Sequence, residues 1–443
     1  MPGVRARQLN APVAAFSVRP IVGSEAADYL RVLPFINGLP QWEPAPAAWH
    51  GGAGAWPRPG RPASAGELEQ ATREVLADDV HTQAAFDGDQ VVGASAMWSL
   101  AITVPGLRAV PLGGVTSTGV RATHRRRGVL RAMMQAMFDA ALARGEPLAA
   151  LSASEGGIYG RFGFAPATHR TRWEIERSDA GLLPHPEPAG SLVLADAVQA
   201  RAAWPVVHRQ AHATRNGEVS ATAGRWQHLT DDADGDDGPL HHLLHRDGDG
   251  RIDGIADYRL PWSPRIEDAG TLVVERLEAT TDDAYRSMWA LLLDFDLTKR
   301  VVAAGRPTDE PLRWMLHNPR ALRVTRQSDN LWLRLLDVPA ALTARAYDLD
   351  AELIFTVPSD PMCPANEGTW LLDTGGPAPT CRRVQRDPDL TIDVAALGAL
   401  YLGGNSAALL TSAGHIRPHT ADGTDLLSRL FRTDPAPHNA IGF

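Results

Sequence analysis

Thr118 to Arg131 reads TGVRATHRRRGVLR. A strand-like stretch ends, three arginines come together, a glycine follows and a helical pattern begins. The first turn of a helix presents backbone N–H groups with no intrahelical partner and a partial positive charge. A glycine there lets a ligand approach the backbone closely. With the guanidinium groups of Arg125, Arg126 and Arg127 added, the segment reads as a seat for a diphosphate. Each charge-assisted hydrogen bond contributes roughly 1.5–3 kcal/mol, so three or four hold such a group firmly. The plainer alternative is an exposed basic helix cap. Neither G-x-x-x-x-G-K-[ST] nor G-x-G-x-x-G occurs, which excludes the common nucleotide loops. Arginines plus one glycine point instead towards coenzyme A.

Outward from this block, GVLRAMMQAMFDAALARG carries Leu130, Met133, Met134, Met137 and Ala141 at helical spacing, with Gly145 as its stop. Upstream, ELEQATREVLADD reads as a helix, and QAAFDGDQVVGASAMWSLAITV as strands turning at Asp87–Gly88. Downstream, PLAALSAS is a buried-strand pattern, IYGRFGF a turn or short helix, and HRTRWEIER a strand. LVVERLEATTDDAYRSMWALLLDFD repeats strand then helix. A third unit starts near Asn330 with NLWLRLLDVPAALTARAY and ends in helix-like stretches at 397–410 and 425–431. The Pro/Gly/Trp-rich stretch 38–66 cannot sustain regular structure. It is a loop, or a lid using Trp42, Trp49 and Trp56. The first residues read as a frayed terminus, too short in apolar length for a secretory signal.

The chain has 443 residues, enough for about three domains, with 44% hydrophobic and 21% charged residues. A formal charge of −9 disfavours nucleic acid as a partner and favours cationic ligands. Cys363 and Cys381 are the two cysteines, so a disulfide scaffold is excluded. No apolar run is long enough to span a membrane.

The block Thr118–Arg131 resembles the pyrophosphate loop of the GNAT superfamily of N-acetyltransferases, [Q/R]-x-x-G-x-[G/A], with Leu130 replacing the last small residue. It is more similar to the Eis-like branch, whose loop reads THRRRG followed by Leu or Val. SASEGGIYGRFGFAPAT (Ser152–Thr168), NLWLRLLDVPAALTARAY and the closing Phe443 carry the same resemblance. It extends over nearly the whole chain, most specifically at 115–168 and least before Asp79. The implied fold is α/β (α+β): two tandem GNAT-like mixed-sheet domains followed by a sterol-carrier-protein-like α/β domain. The expected divisions are 1–182, 183–329 and 330–443. The second domain is expected to bind no coenzyme, because Asp282 and Asp283 stand where its loop would be and repel phosphate.

The resemblance implies acetyl-CoA as co-substrate and no metal. Thr118, Gly119 and Val120 would hold the pantetheine amides. Arg125, Arg126, Arg127, Gly128, Val129, Leu130 and Arg131 would hold the pyrophosphate. Ser154 and Glu155 would line the thiol end. Tyr159 is the candidate general acid. Its phenol pKa of about 10, against about 8.5 for a thiol, makes protonating the leaving thiolate uphill by roughly 2 kcal/mol. Its neighbouring glycines predict an exposed position; the alternative is a core tyrosine. The C-terminal carboxylate of Phe443 would be the base, the alternative being a loose tail. A carboxylate of low pKa suits amines acidified by neighbouring ammonium groups, which favours polyamino acceptors such as aminoglycosides. A protein lysine is the second acceptor to consider, and a lipid-binding or scaffolding protein the rival of another class. The resemblance also implies a cytoplasmic homohexamer that contacts neither nucleic acid nor membrane.

Three other patterns are set aside. Asp247–Gly250 (DGDG) resembles a calcium loop but lacks the closing glutamate and reads as a hairpin turn. Asp232, Asp234 and Asp236 lack the loop glycine and that glutamate. His241, His242 and His245 include an i, i+4 pair on an apparent strand, without the HExxH glutamate, and read as structural.

Overall fold

The computed structural model describes residues 16–33, 64–186, 188–221, 223–230, 239–260 and 270–442. The first residues, the stretch holding Trp42, Trp49 and Trp56, the acidic tract with Asp232, Asp234 and Asp236, and Phe443 lie outside them. The described chain forms two compact units, residues 16–33, 64–99 and 115–143 in one, and 100–114 and 144–442 in the other.

In the first unit, β1 (Phe16–Arg19) is followed by α1 (Ala26–Leu30), α2 (Ala65–Val75), β2 (Val80–Asp87) and β3 (Gln90–Val104), which runs on into the second unit. β1 pairs antiparallel with β2 from Phe16↔Asp87 to Arg19↔Ala84, and β2 turns back on β3 at Asp87↔Gln90. Tyr29, Leu30, Ala71, Val75, Phe86 and Val91 close one face. β4 (Arg108–Val120) enters this unit at Val115 and leads to α3 (Val129–Ala143). The helix buries Val129, Met133, Met134, Met137, Phe138 and Ala141, so the expected apolar stripe forms with Val129 and Phe138 in it and Leu130 at its half-buried margin. Val129 and Met133 join Ala85 and Val92 in one cluster.

In the second unit, Leu112–Gly114 of β4 pair in parallel with β5 (Leu148–Ser152). Then come α4 (Gly156–Tyr159), β6 (Ala165–Pro166) and β7 (His169–Glu176). The next module holds β8 (Ser191–Ala195), α5 (Ala197–Ala211), α6 (Ala223–Thr230), β9 (Leu240–Arg246), β10 (Ile252–Arg259), β11 (Thr271–Ala279), α7 (Asp282–Leu293), β12 (Arg300–Arg306), α8 (Leu312–Met315) and β13 (Arg323–Asp329), followed by β14 (Leu331–Leu335). Its sheet runs β13-β7-β12-β11-β10-β9-β8, with β11 and β12 parallel across α7. Trp173 and Trp289, with ring centroids 5.0 Å apart, centre one face, and Trp204 and Trp226 the other.

The sheets cut across the divisions expected along the chain. β7, expected to belong with residues 1–182, is a strand of the second sheet, between β12 and β13. β14, expected to open the last domain, lies between β5 and β6, pairing Leu331↔Ser152 and Leu333↔Ala165. Every residue of β14 is buried, Arg334 included. Its guanidinium donates to Phe162 O and to Asp360 Oδ1, both at 2.6 Å. Both side chains of this pair are 1% exposed, so removing Asp360 strands a buried charge. Asp360→Ala is expected to lower stability by about 3–5 kcal/mol, read as a fall in the urea midpoint.

The last module follows with α9 (Val338–Ala344), β15 (Glu352–Val357), β16 (Gly368–Asp373), β17 (Thr380–Arg383), β18 (Leu390–Ile392), α10 (Val394–Leu400), α11 (Ala407–Ser412), β19 (Ile416–Pro418) and α12 (Gly423–Phe431). Its sheet is ordered β17-β16-β15-β18-β19. Cys363 and Cys381 are not joined in a disulfide. Among the described residues, no helix is long and apolar enough to cross a membrane.

Candidate active site

The arginine–glycine segment lies in the first unit. Within β4, Ser117 adopts φ +47°. This left-handed residue breaks the pleat just before Thr118, Gly119 and Val120, which are half-buried. The Thr118 hydroxyl pairs with that of buried Ser95 at 2.8 Å and donates to Thr116 O at 3.1 Å. Arg121 ties the strand end down, its N–H donating to Val92 O at 2.9 Å and its Nε to Val91 O at 2.7 Å.

A single 3-10 turn at Ala122–His124 follows, then an extended Arg125, with φ +61° at Arg126 and φ +85° at Gly128. The first intrahelical acceptor of α3 is Gly128 O, which takes the N–H of Ala132 at 3.0 Å. The N–H groups of Val129, Leu130 and Arg131 therefore precede the helical ladder. The side chain of Val129 is buried, so only its backbone is available to a ligand. Arg125, Arg126, Arg127 and Arg131 are exposed. Among the described residues, Arg125, Arg126 and Arg131 make no ion pair. Arg127 lies 3.9 Å from Asp87, an acid also held by His124 at 3.1 Å. A bared helix start and three guanidinium groups that make no ion pair among the described residues thus lie within residues 125–131.

The expected thiol-end and acid residues lie in the second unit. Ser154 and Glu155 are exposed beyond β5, and Glu155 precedes α4, of which Tyr159 is the last residue. The expectation of an exposed Tyr159 is corrected: it is 8% exposed. The glycines on either side belong to the helix and to the 3-10 turn that continues it, while the tyrosine ring meets Phe164 edge-on, centroids 6.3 Å apart. Among the described residues, its hydroxyl has no hydrogen-bond partner. Burial, and then the Glu155 carboxylate, push this phenol above the usual tyrosine value, so it holds its proton through neutral pH.

The chain end is held residue by residue up to its last described positions. His438 N–H donates to Asn216 O at 3.0 Å, and Asn330 Nδ2 to Asn439 O at 2.6 Å. Buried Glu218 accepts from Asn439 Nδ2 at 2.8 Å, Ala440 N–H at 2.6 Å and Ile441 N–H at 3.3 Å. Ile441 packs in the Trp204–Trp226 cluster. The loose-tail alternative does not describe residues 436–441. Glu218 was not legible as a tail clamp, because its partners lie more than 200 positions away in sequence.

The second module's counterpart of the loop is closed. Thr281 Oγ1 caps α7 by accepting Ala284 N–H at 3.2 Å, and Asp282 and Asp283 fill the first turn. The Asp247–Gly250 turn and the histidine pattern are structural. Asp247 Oδ1 accepts the N–H groups of Asp249 and Arg251 in the hairpin turn. His242 and His245 are each bound to a buried carboxylate, Asp257 and Asp253, at 2.6 Å.

Strands leading into an arginine–glycine loop that opens a helix, followed by a second strand–helix module without that loop, fit a tandem GNAT N-acetyltransferase. The acetyltransferase (GNAT) domain family matches residues 52–167, a second GNAT family matches 217–335, and the sterol carrier protein domain matches 338–440. An uncharacterized N-acetyltransferase of Streptomyces avermitilis is 37% identical over 374 residues, covering 81% of this chain and 88% of its own. The N-acetyltransferase Eis of Mycobacterium tuberculosis (strain H37Ra) is 33% identical over 374 residues, 80% of this chain and 87% of its own. The crystal structure of Eis1 from Mycobacterium abscessus superposes with a TM-score of 0.80 at 30% identity, covering 96% of this chain and all of that one. The chain belongs to the Eis-like family of GNAT N-acetyltransferases.

Proposed function

We propose that the enzyme transfers the acetyl group of acetyl-CoA to an amine of a cationic small molecule, with aminoglycosides as the acceptor class. The observation that carries this reading is the exposed Arg125–Arg131 loop, with its N–H groups ahead of the helical ladder. In this reading the loop binds the diphosphate, the amides of Thr118, Gly119 and Val120 pair with the pantetheine arm, and Ser154 and Glu155 line its thiol end. The amine gives a proton to the carboxylate of Phe443 and its nitrogen forms a bond to the thioester carbon. The carbon–sulfur bond then breaks, and the thiolate takes the phenolic proton of Tyr159, which solvent restores. The formal charge of −9 supports a cationic acceptor. Family resemblance supports a cytoplasmic homohexamer, which light scattering in solution tests.

Thiol release from acetyl-CoA, measured with a panel of aminoglycosides and simple diamines, tests the acceptor class. Turnover with several aminoglycosides is expected. No release above the amine-free blank with any amine would overturn the reading. A short extension after Phe443 is expected to suppress turnover at least about tenfold while acetyl-CoA affinity stays unchanged. Full turnover by the extended chain would remove Phe443 from the mechanism.

A further inference from the structure

Under the C-terminal tail of the second unit lies a group of titratable side chains that the transfer chemistry does not use. His208, in α5, and His212, one helical turn on, have ring centroids 4.5 Å apart. Buried Glu278, on β11, accepts from His208 Nδ1 at 2.9 Å and from His212 Nε2 at 3.2 Å. The remaining ring nitrogens both face Glu218, with His208 Nε2 3.9 Å from Oε1 and His212 Nδ1 3.6 Å from Oε2. One ligand atom from each of His208, His212 and Glu218 lies within 4.8 Å of the others.

These distances are too long for hydrogen bonds, and His212 Nδ1 is buried without a partner. If each ring gives its proton to Glu278, two bare nitrogen lone pairs confront a carboxylate, a repulsive arrangement that a cation between them removes. Zinc bonds of about 2.0–2.1 Å to nitrogen and oxygen in tetrahedral geometry set ligands about 3.4 Å apart. The two gaps to Glu218 exceed this by only a few tenths of an ångström. Glu278 then stands where carboxylates behind metal-bound histidines stand, fixing tautomer and ring orientation.

We propose that His208, His212 and Glu218 bind a divalent transition-metal ion, zinc by donor type, with Glu278 orienting both rings. The site clasps the tail, because Glu218 also receives the amides of Ala440 and Ile441. It takes no part in acetyl transfer. The sequence carries H-x-x-x-H over 208–212 with Glu218 six positions on, a pattern the sequence reading passed over, and the carboxylate from 278 comes only with the fold.

The test uses the full chain after chelator treatment and dialysis, without acetyl-CoA or amine, so its outcome is separate from that of the activity assay. Zinc titrated by calorimetry is expected to bind one equivalent per chain with Kd at or below about 1 µM. Cobalt in its place is expected to give the visible bands of a four- or five-coordinate nitrogen–oxygen site. His212→Gln and Glu218→Gln are expected to weaken zinc at least about 100-fold, and Glu278→Gln about 10- to 100-fold. His415→Asn, at an exposed histidine, should leave it unchanged. If the Glu218 variant fails to fold, the His212 variant and the cobalt spectrum of the unaltered chain carry the decision. Zinc binding weaker than about 100 µM, or binding untouched by His212→Gln, would overturn the proposal.

Discussion

Tyr159→Phe is expected to lower kcat by about 100- to 10,000-fold, the range for loss of a positioned general acid. The acetyl-CoA Kd should stay within about twofold and the thermal midpoint should barely move. The substitution deletes one oxygen and leaves the ring against Phe164. Because burial and Glu155 raise the phenol above its ordinary value, it remains protonated throughout the neutral range. The same shift makes protonating the thiolate by this group further uphill than for a free phenol, so a Tyr159 acting as the proposed acid would pass its proton while the carbon–sulfur bond is breaking. Steady-state kinetics on the variant decide the matter, and a kcat within threefold of the parent enzyme would exclude Tyr159 as the acid.

Gly128→Val should raise the acetyl-CoA Kd at least about 100-fold. At φ +85° a β-branched residue is an outlier, and the left-handed conformation costs an L-residue roughly 1–2 kcal/mol. The backbone is expected to relax towards negative φ and turn the N–H groups of Val129 to Arg131 away from the proposed diphosphate seat. Two lost charge-assisted bonds amount to roughly 3–6 kcal/mol, and each 1.4 kcal/mol is tenfold. A Cβ at Gly128 meets no atom within 4 Å, so the effect comes from backbone conformation rather than from a clash. Gly145→Val, at φ +76° and equally unobstructed, carries the same strain beyond the other end of α3 and should leave the coenzyme affinity unchanged. Arg126→Ala, which keeps a Cβ at this left-handed position and removes only the guanidinium, should weaken coenzyme about 10- to 100-fold. Calorimetric titration of all three variants separates charge from conformation.

The arginine–glycine loop was legible because its features are local: three charges, one glycine and a helical stripe are consecutive in the chain. The absence of such a loop in the second module was legible for the same reason, from Asp282 and Asp283. The partnerships of HRTRWEIER and NLWLRLLD were not. Alternating and continuous apolar patterns identify β7 and β14 as strands, but pairing partners are chosen by distant residues. Nothing within Leu331–Leu335 specifies β5 and β6 as neighbours. Tyr159 was misjudged as exposed because flanking glycines indicate a turn without indicating which way the ring points. The His208–His212–Glu218–Glu278 group drew no attention because its members come from a helix, the turn after it and a strand some 60 residues on.

The placement of β14 and β7 bears on how freely pieces of this enzyme can be borrowed. Residues 144–168 alone lack the strand that covers the edges of β5 and β6, and bare strand edges recruit other chains. A second GNAT segment grafted from a relative at its family limits would arrive without residues 169–176, the filling between β12 and β13. Recombination among relatives should therefore succeed only when a crossover keeps each donated strand with the sheet that receives it.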